Sequence, residues 1–115
     1  MDIQIKRIYD PADAADGKRI LIDRLWPRGI KKEQALLDGW PKTLTPSNEL
    51  RKWYHQDIEQ RWPEFQQRYA AELAGQQEAL QQLRDLARQE KITLLTAAKN
   101  AGKNHAEVLK RVLEA

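Results

Sequence analysis

Four side chains able to bind or react fall within six positions of "LIDRLWPRGIKKE", residues 21–33: Asp23, Arg24, Trp26 and Arg28. A carboxylate can move a proton, and a guanidinium fork can hold a phosphate or carboxylate through two parallel hydrogen bonds. The apolar run ends near here, and Pro27 and Gly29 mark a turn, so these groups sit where a strand gives way to a loop. In open α/β sheets, ligands bind beyond the carboxyl ends of the strands, because the loops there face one crevice. A second strand end follows "KITLLT" (91–96) and supplies Thr96, Lys99, Asn100 and Asn104. If the two strands are parallel neighbours, both sets converge, and the helix opening after Asn104 adds backbone N–H groups and a positive dipole end. The expectation is an anion pocket built on Arg24, Trp26, Arg28, Lys99 and Asn104. The competing reading is an internal ion pair of Asp23 with Arg24 or Arg28 that only ties the loop down.

"PSNELRKWYH" (46–55) adds Ser47, Arg51 and His55. Arg51 and His55 are four apart, so on a helix they share a face. His55 can serve as a general base or acid near neutral pH, which makes it and Asp23 the candidate catalytic residues. Against this, a lone histidine beside tryptophan is commonly a packed or surface residue. His105 opens a helix, where its cation would oppose the dipole, and is read as structural. The four tryptophans all lie between residues 26 and 62, among Arg and Lys. They can stack on bases or simply fill the core.

Several chemistries are absent. There is no cysteine, which excludes disulfides, thiol nucleophiles and thiolate metal sites. Two histidines are too few for a histidine-built metal centre, and no metal or cofactor is expected. "AGKN" pairs Gly with Lys after a strand but lacks the first glycine and the Ser/Thr of a phosphate loop. No run approaches the roughly 18 apolar residues of a membrane span, and "MDIQIKRIYDPAD" lacks the features of a signal peptide. A cytoplasmic protein with no membrane partner is the expectation.

The elements must then position the site. "IQIKRIY" (3–9) alternates like a half-buried strand, and "RILIDRL" (19–25) and "KITLLTAA" (91–98) have unbroken apolar centres typical of internal strands. "KKEQALL" (31–37) reads as a short helix stopped by Asp38-Gly39, and residues 40–44 as a short strand or loop. A helix enters at Thr45-Pro46-Ser47, capped by Thr45 or Ser47, and turns Leu50, Trp53 and Tyr54 inward. Two longer helices cover 60–74, beginning or bending near Pro63, and 76–90. The last spans 105–114, with Asn104 as cap and Glu107 three residues on. Strand, strand, helices, strand, helix implies an α/β fold: one domain over residues 1–115, with a small, largely parallel sheet flanked by helices in a three-layer, flavodoxin-like style.

The net charge is +3, and its distribution matters more than its size. Between Gly17 and Lys32 lie six basic residues and one acid, Asp23, so the excess surrounds the opening stretch. Such a patch favours an anionic partner, either a small ligand or nucleic acid.

At "DRLWPRGIKKE", "TPSNELRKWYHQD", "RWPEFQQRYAAEL" and "TLLTAAKNAGKNHAEVL" the chain resembles the YeaO-like proteins, a bacterial branch of the family called domain of unknown function 488. The likeness runs in order over residues 3–113. It implies a small cytoplasmic α/β protein with no established activity or catalytic residues. Relatives in other branches carry a cysteine just after the strand matching 92–95. Here that position is Thr96, or Ala97 if the alignment shifts by one, so thiol chemistry cannot operate. The family's usual "AAKD" is "AAKN", with Asn100 in place of the acid, which weakens an acid–base role there.

Three functions follow in order of support. The first is an enzyme or binding protein for a small anion, phosphate- or nucleotide-like, with hydrolysis or group transfer as the chemistry if it is an enzyme. The second is a nucleic-acid-binding accessory protein using the basic, Trp-rich region 17–62, although a charge of only +3 argues against strong nonspecific binding. The third is a protein-interaction module using the Gln-rich helix. Nothing in the sequence sets an oligomeric state.

Overall fold

The structure is a computed structural model and describes residues 1–115. Three strands, β1 (Ile3–Arg7), β2 (Lys18–Leu21) and β3 (Ile92–Thr96), form one sheet in the order β1-β3-β2, with both pairings parallel. The helices are α1 (Lys32–Ala35), α2 (Asn48–His55), α3 (Ile58–Ala74), α4 (Gln77–Gln89) and α5 (His105–Glu114). The α/β class expected from the element order is what the chain adopts.

The last strand in sequence is the central one, and all five of its residues are buried. The pleat sends alternate side chains to opposite faces. Ile20, Ile22, Ile92 and Leu94 join the large core with α2–α5, where Phe65, Tyr69, Leu73 and Leu109 are almost fully enclosed. Leu21 and Leu95 face the other way, onto Ile8 and Ala35, with Trp26, Ile30 and Trp40 packed around them. The helices thus lie mainly on one face. The other is covered by the 26–40 segment and the single turn of α1.

A buried polar clip completes that thinner face. The Asp16 carboxylate, 2% exposed, receives Lys6 Nζ at 2.9 Å, the Asp13 amide at 3.0 Å and the Arg19 guanidinium. Arg19 Nε donates to Ala35 O at 3.0 Å, and Thr93 Oγ1 donates to Asp16 O at 2.7 Å. The Asp16 carboxylate thus joins β1 to β2, its backbone carbonyl adds β3, and Arg19 carries the link on to α1.

Several boundaries differ from the sequence reading, each for a local reason. β2 was expected to reach residue 25, but its pairing ends once Ile22 N has bonded Leu95 O, because β3 offers no further partner in that direction. β2 is also an edge strand rather than an internal one, and its free edge is screened by Asp38-Gly39, with Leu21 N donating to Gly39 O at 3.0 Å. β1 stops at Arg7, where Asp10 folds back to accept the Arg7 amide. α1 is shorter than 31–37 because Leu36 takes a left-handed conformation, φ 49°. Residues 42–44 form a 3₁₀ turn. α3 begins at Ile58, five residues before Pro63, with Asp57 as its cap; the proline costs one bond on an exposed turn without ending the helix.

Gly17 enters β2 with φ 65°, and a Cβ there would lie 2.1 Å from Lys91 O, the carbonyl that receives the Lys18 amide. Gly17→Ala is expected to cost about 1–3 kcal/mol from strain and backbone displacement. Urea unfolding would show a lower midpoint at unchanged slope.

Candidate functional site

The end of β2 and the end of β3 are neighbours, so the two residue sets do meet. The chain leaves Ile22 and turns so that the Asp23 carboxylate lies over the end of the central strand. Oδ1 accepts from Thr96 Oγ1 at 2.7 Å and Oδ2 from the Ala97 amide at 2.7 Å. His105 Nε2, on the first residue of α5, sits 2.8 Å from Oδ1. Burial pushes the Asp23 pKa up. The hydrogen bond and charge of His105, with the Ala97 amide and the Thr96 hydroxyl, outweigh this and hold it below the ordinary carboxylate value. Asp23 is thus an ionised clamp joining β2, β3 and α5.

This overturns the local ion pair considered above. Asp23 pairs with neither Arg24 nor Arg28, because His105, remote in sequence, reaches it first. His105 keeps the structural role read from the sequence, and the contact shows what it holds: it ties the start of α5 to Asp23 at the strand ends. Only the spatial neighbourhood of β2 and β3 exposes this pairing, and no local sequence signal carries it.

Around the clamp lies a cavity of about 320 Å³. Asp23, Arg24, Trp26, Arg28, Arg51, His55 and Asn104 all line it, together with Tyr54, Phe65 and His105. α2 contributes Arg51, Tyr54 and His55, which at spacings of three and four present one helix face to the cavity. α2 is started by Ser47, whose Oγ accepts the Leu50 amide at 3.2 Å. Asn104 starts α5 by accepting the Ala106 amide at 2.9 Å, while its Nδ2 donates to Asn100 O. The Glu107 half of the expected capping box is not formed, and the Ala106 amide is taken by the cap rather than left for a ligand.

Arg24 Nε donates to Pro46 O at 3.1 Å, leaving its terminal nitrogens without partners in the chain. Arg28 takes part through its backbone carbonyl, which accepts from Tyr9 Oη at 2.8 Å. Arg51 Nε is buried with no hydrogen-bond partner. None of these three arginines forms an ion pair; the only salt bridge in the cavity joins His105 to Asp23. His55 is bonded to no carboxylate, and partial desolvation, with the charges of Arg51 and His105, holds its pKa below the usual histidine value despite the nearby Asp23.

Two expected ligand residues stand apart. Ser47 does not line the cavity; besides capping α2 it donates to Glu72 Oε2 at 2.6 Å, so its hydroxyl proton is already committed. Lys99 is exposed on the loop after β3 and does not line it either. The tryptophans are half-buried rather than a stacking platform. Trp26 Nε1 donates to Ile30 O, Trp40 Nε1 to Asp23 O, and the two rings meet edge to face at 5.4 Å. Trp62 packs near Tyr54 and Phe65, and Trp53 lies under Arg61 and Arg68. No group of three or more His, Cys, Asp or Glu residues is arranged to hold a metal.

Fold and site together define a small parallel-sheet α/β protein with an arginine-lined cleft beyond the carboxyl ends of its strands. The chain belongs to the DUF488 family: residues 2–115 match the model described as "Inactive DUF488-N3 subclade". It is 51% identical over 109 residues to the uncharacterised protein YeaO of Escherichia coli K12, covering 95% of this chain and 94% of that one. An uncharacterised protein of Mycobacterium tuberculosis H37Rv is 40% identical over 111 residues, covering 96% and 92%. No solved structure matches. No helix is long and apolar enough to cross a membrane.

Proposed function

We propose that this chain is a non-catalytic binding protein for a small anion of phosphate or carboxylate type, held in the cavity at the ends of β2 and β3. One observation carries the reading. Three arginines line the cavity, none of them with a carboxylate partner, while its one carboxylate, Asp23, is already engaged by His105, Thr96 and the Ala97 amide. Unpaired guanidiniums in a concave site favour an anion, and their planar forks favour oxyanions in particular.

The same contacts argue against turnover. Thr96 donates its hydroxyl to Asp23 and accepts the Ala98 amide at 3.0 Å, so it is poorly placed as a nucleophile. Asp23, held ionised and hydrogen-bonded, makes a weak base. His55 has no orienting partner, unlike the base of a working nucleophilic pair. The description of the matching subclade as inactive agrees with this.

A thermal-shift screen of wild type and Arg24→Ala/Arg28→Ala against phosphate, carboxylates, sugar phosphates and short DNA, at low and high salt, tests the reading. A true ligand at one hundred times its dissociation constant stabilises wild type by about 2.7 kcal/mol, persists at high salt, and leaves the variant unmoved. No small-ligand shift, with DNA binding that disappears in salt, would sink the proposal in favour of a nucleic-acid docking surface.

A further inference from the structure

One residue of the cavity has no role in the anion-binding reading above, on which the following rests. His55 lines the cavity from its open side, where its ring is exposed, and it takes part in none of the ion pairs of the molecule. It stands one turn after Arg51 on α2, so the imidazole and that guanidinium face the same space. The other histidine is placed differently, because His105 Nε2 is committed to Asp23 at 2.8 Å. Of the two, only His55 has a ring free of any carboxylate, able to turn an N–H toward a ligand and to take up a proton near neutral pH.

In the empty cavity a proton on His55 is opposed. Partial burial and then the charges of Arg51 and His105 hold its pKa below the usual histidine value, with Asp23 pulling the other way. Arg24 and Arg28, from the loop after β2, bring two more positive charges to the same lining. The remaining groups do not titrate in this range. Asp23 is held ionised, and the tyrosine hydroxyls keep their protons, Tyr9 donating to Arg28 O and Tyr54 to Lys103 O. An oxyanion in the cavity reverses the balance, because its charge offsets the arginines and the imidazolium N–H can donate to it in a charge-assisted hydrogen bond. We propose that His55 binds the anion as the imidazolium, so that the cavity takes up a proton together with its ligand. The coupling is reciprocal: the anion raises the proton affinity of His55 by the same factor as the proton raises the anion affinity. Affinity therefore climbs as pH falls through the anion-bound value of His55, and levels off only below the free-protein value, itself under 6.5.

Sulfate and oxalate test this, one for phosphate-type and one for carboxylate-type ligands. Both keep a double charge from about pH 8 down to about 5.5, the range in which a histidine changes its own, so a change in affinity reports on the protein. Each is titrated calorimetrically into the full chain at those two pH values and constant ionic strength. Wild type is expected to bind at least one of them about tenfold more tightly at the lower pH, the ratio produced when binding raises the His55 titration by about one pH unit. His55→Gln, an exposed change, should match wild type at the higher pH and lose the gain at the lower one. His55→Lys, charged at both, should bind tightly at both. The His55 ring resonances, followed by NMR, should titrate at higher pH with the anion than without it. A wild-type ratio under about twofold, or a gain that persists in His55→Gln, would overturn the proposal while leaving anion binding standing. Binding of neither anion at either pH would overturn the anion-binding reading itself. Unchanged binding in Arg24→Ala/Arg28→Ala would overturn both, by moving the ligand out of this cavity.

Discussion

Asp16→Ala is expected to lower the thermal unfolding midpoint by roughly 12–20 °C, corresponding to about 3–5 kcal/mol. The substitution removes the acceptor shared by Lys6, Arg19 and the Asp13 amide, in a place where Asp16 is 2% and Arg19 5% exposed. The cost comes less from the lost contacts than from the buried guanidinium left without its counter-charge. For a domain whose total stability is on the order of 5–15 kcal/mol, that is a large share. Calorimetry checks it. A shift below about 4 °C would mean that Arg19 finds other partners and that the clip is dispensable. Asp16 precedes β2, at the opposite end of that strand from the arginine cleft, so anion binding below the unfolding transition should survive. That combination separates a structural carboxylate from a site carboxylate.

Asp23→Asn is the second large effect, about 2–4 kcal/mol, because an amide cannot accept from Thr96, His105 and the Ala97 amide together; its NH₂ would face another donor. This effect depends on pH with a definite sign. The folded-state pKa of Asp23 is depressed below 3.8, so the clamp's contribution is fully present above about that value and is lost as pH falls through the folded pKa. The stability gap between wild type and Asp23→Asn should therefore close as the pH falls from about 4 toward about 2. Denaturant melts across that range measure it. A gap that stays open in acid would show that the carboxylate charge is not what holds α5 to the strand ends.

Asp23 also marks the limit of what the sequence makes legible. The unbroken apolar centre of 92–95 identifies β3, the stripes in 60–74 and 76–90 identify α3 and α4, and Asn104 identifies the start of α5; each is a signal contained in a few neighbouring residues. The convergence of Arg24, Arg28 and Asn104 needs only one further assumption, that two strands are parallel neighbours. The partner of Asp23 needs more. His105 is 82 residues away, and a carboxylate followed closely by two arginines gives every local reason to expect an arginine pair. Ser47 is the converse case: a hydroxyl near the right residues in sequence, consumed by Glu72 from another helix.

The order β1-β3-β2 places the last strand of the chain between the first two, which constrains how the protein is made. β1 and β2 are translated first and have no strand to pair with until Ile92–Thr96 emerges from the ribosome. Every ladder of the sheet then closes over a sequence separation of more than 70 residues, the kind of distant contact that slows folding. α2, α3 and α4 are synthesised in the interval, at roughly 5–20 residues per second, with a third of their core still missing. A nascent chain halted before residue 92 therefore has neither sheet nor arginine cleft, and both arrive together in the final stretch of synthesis.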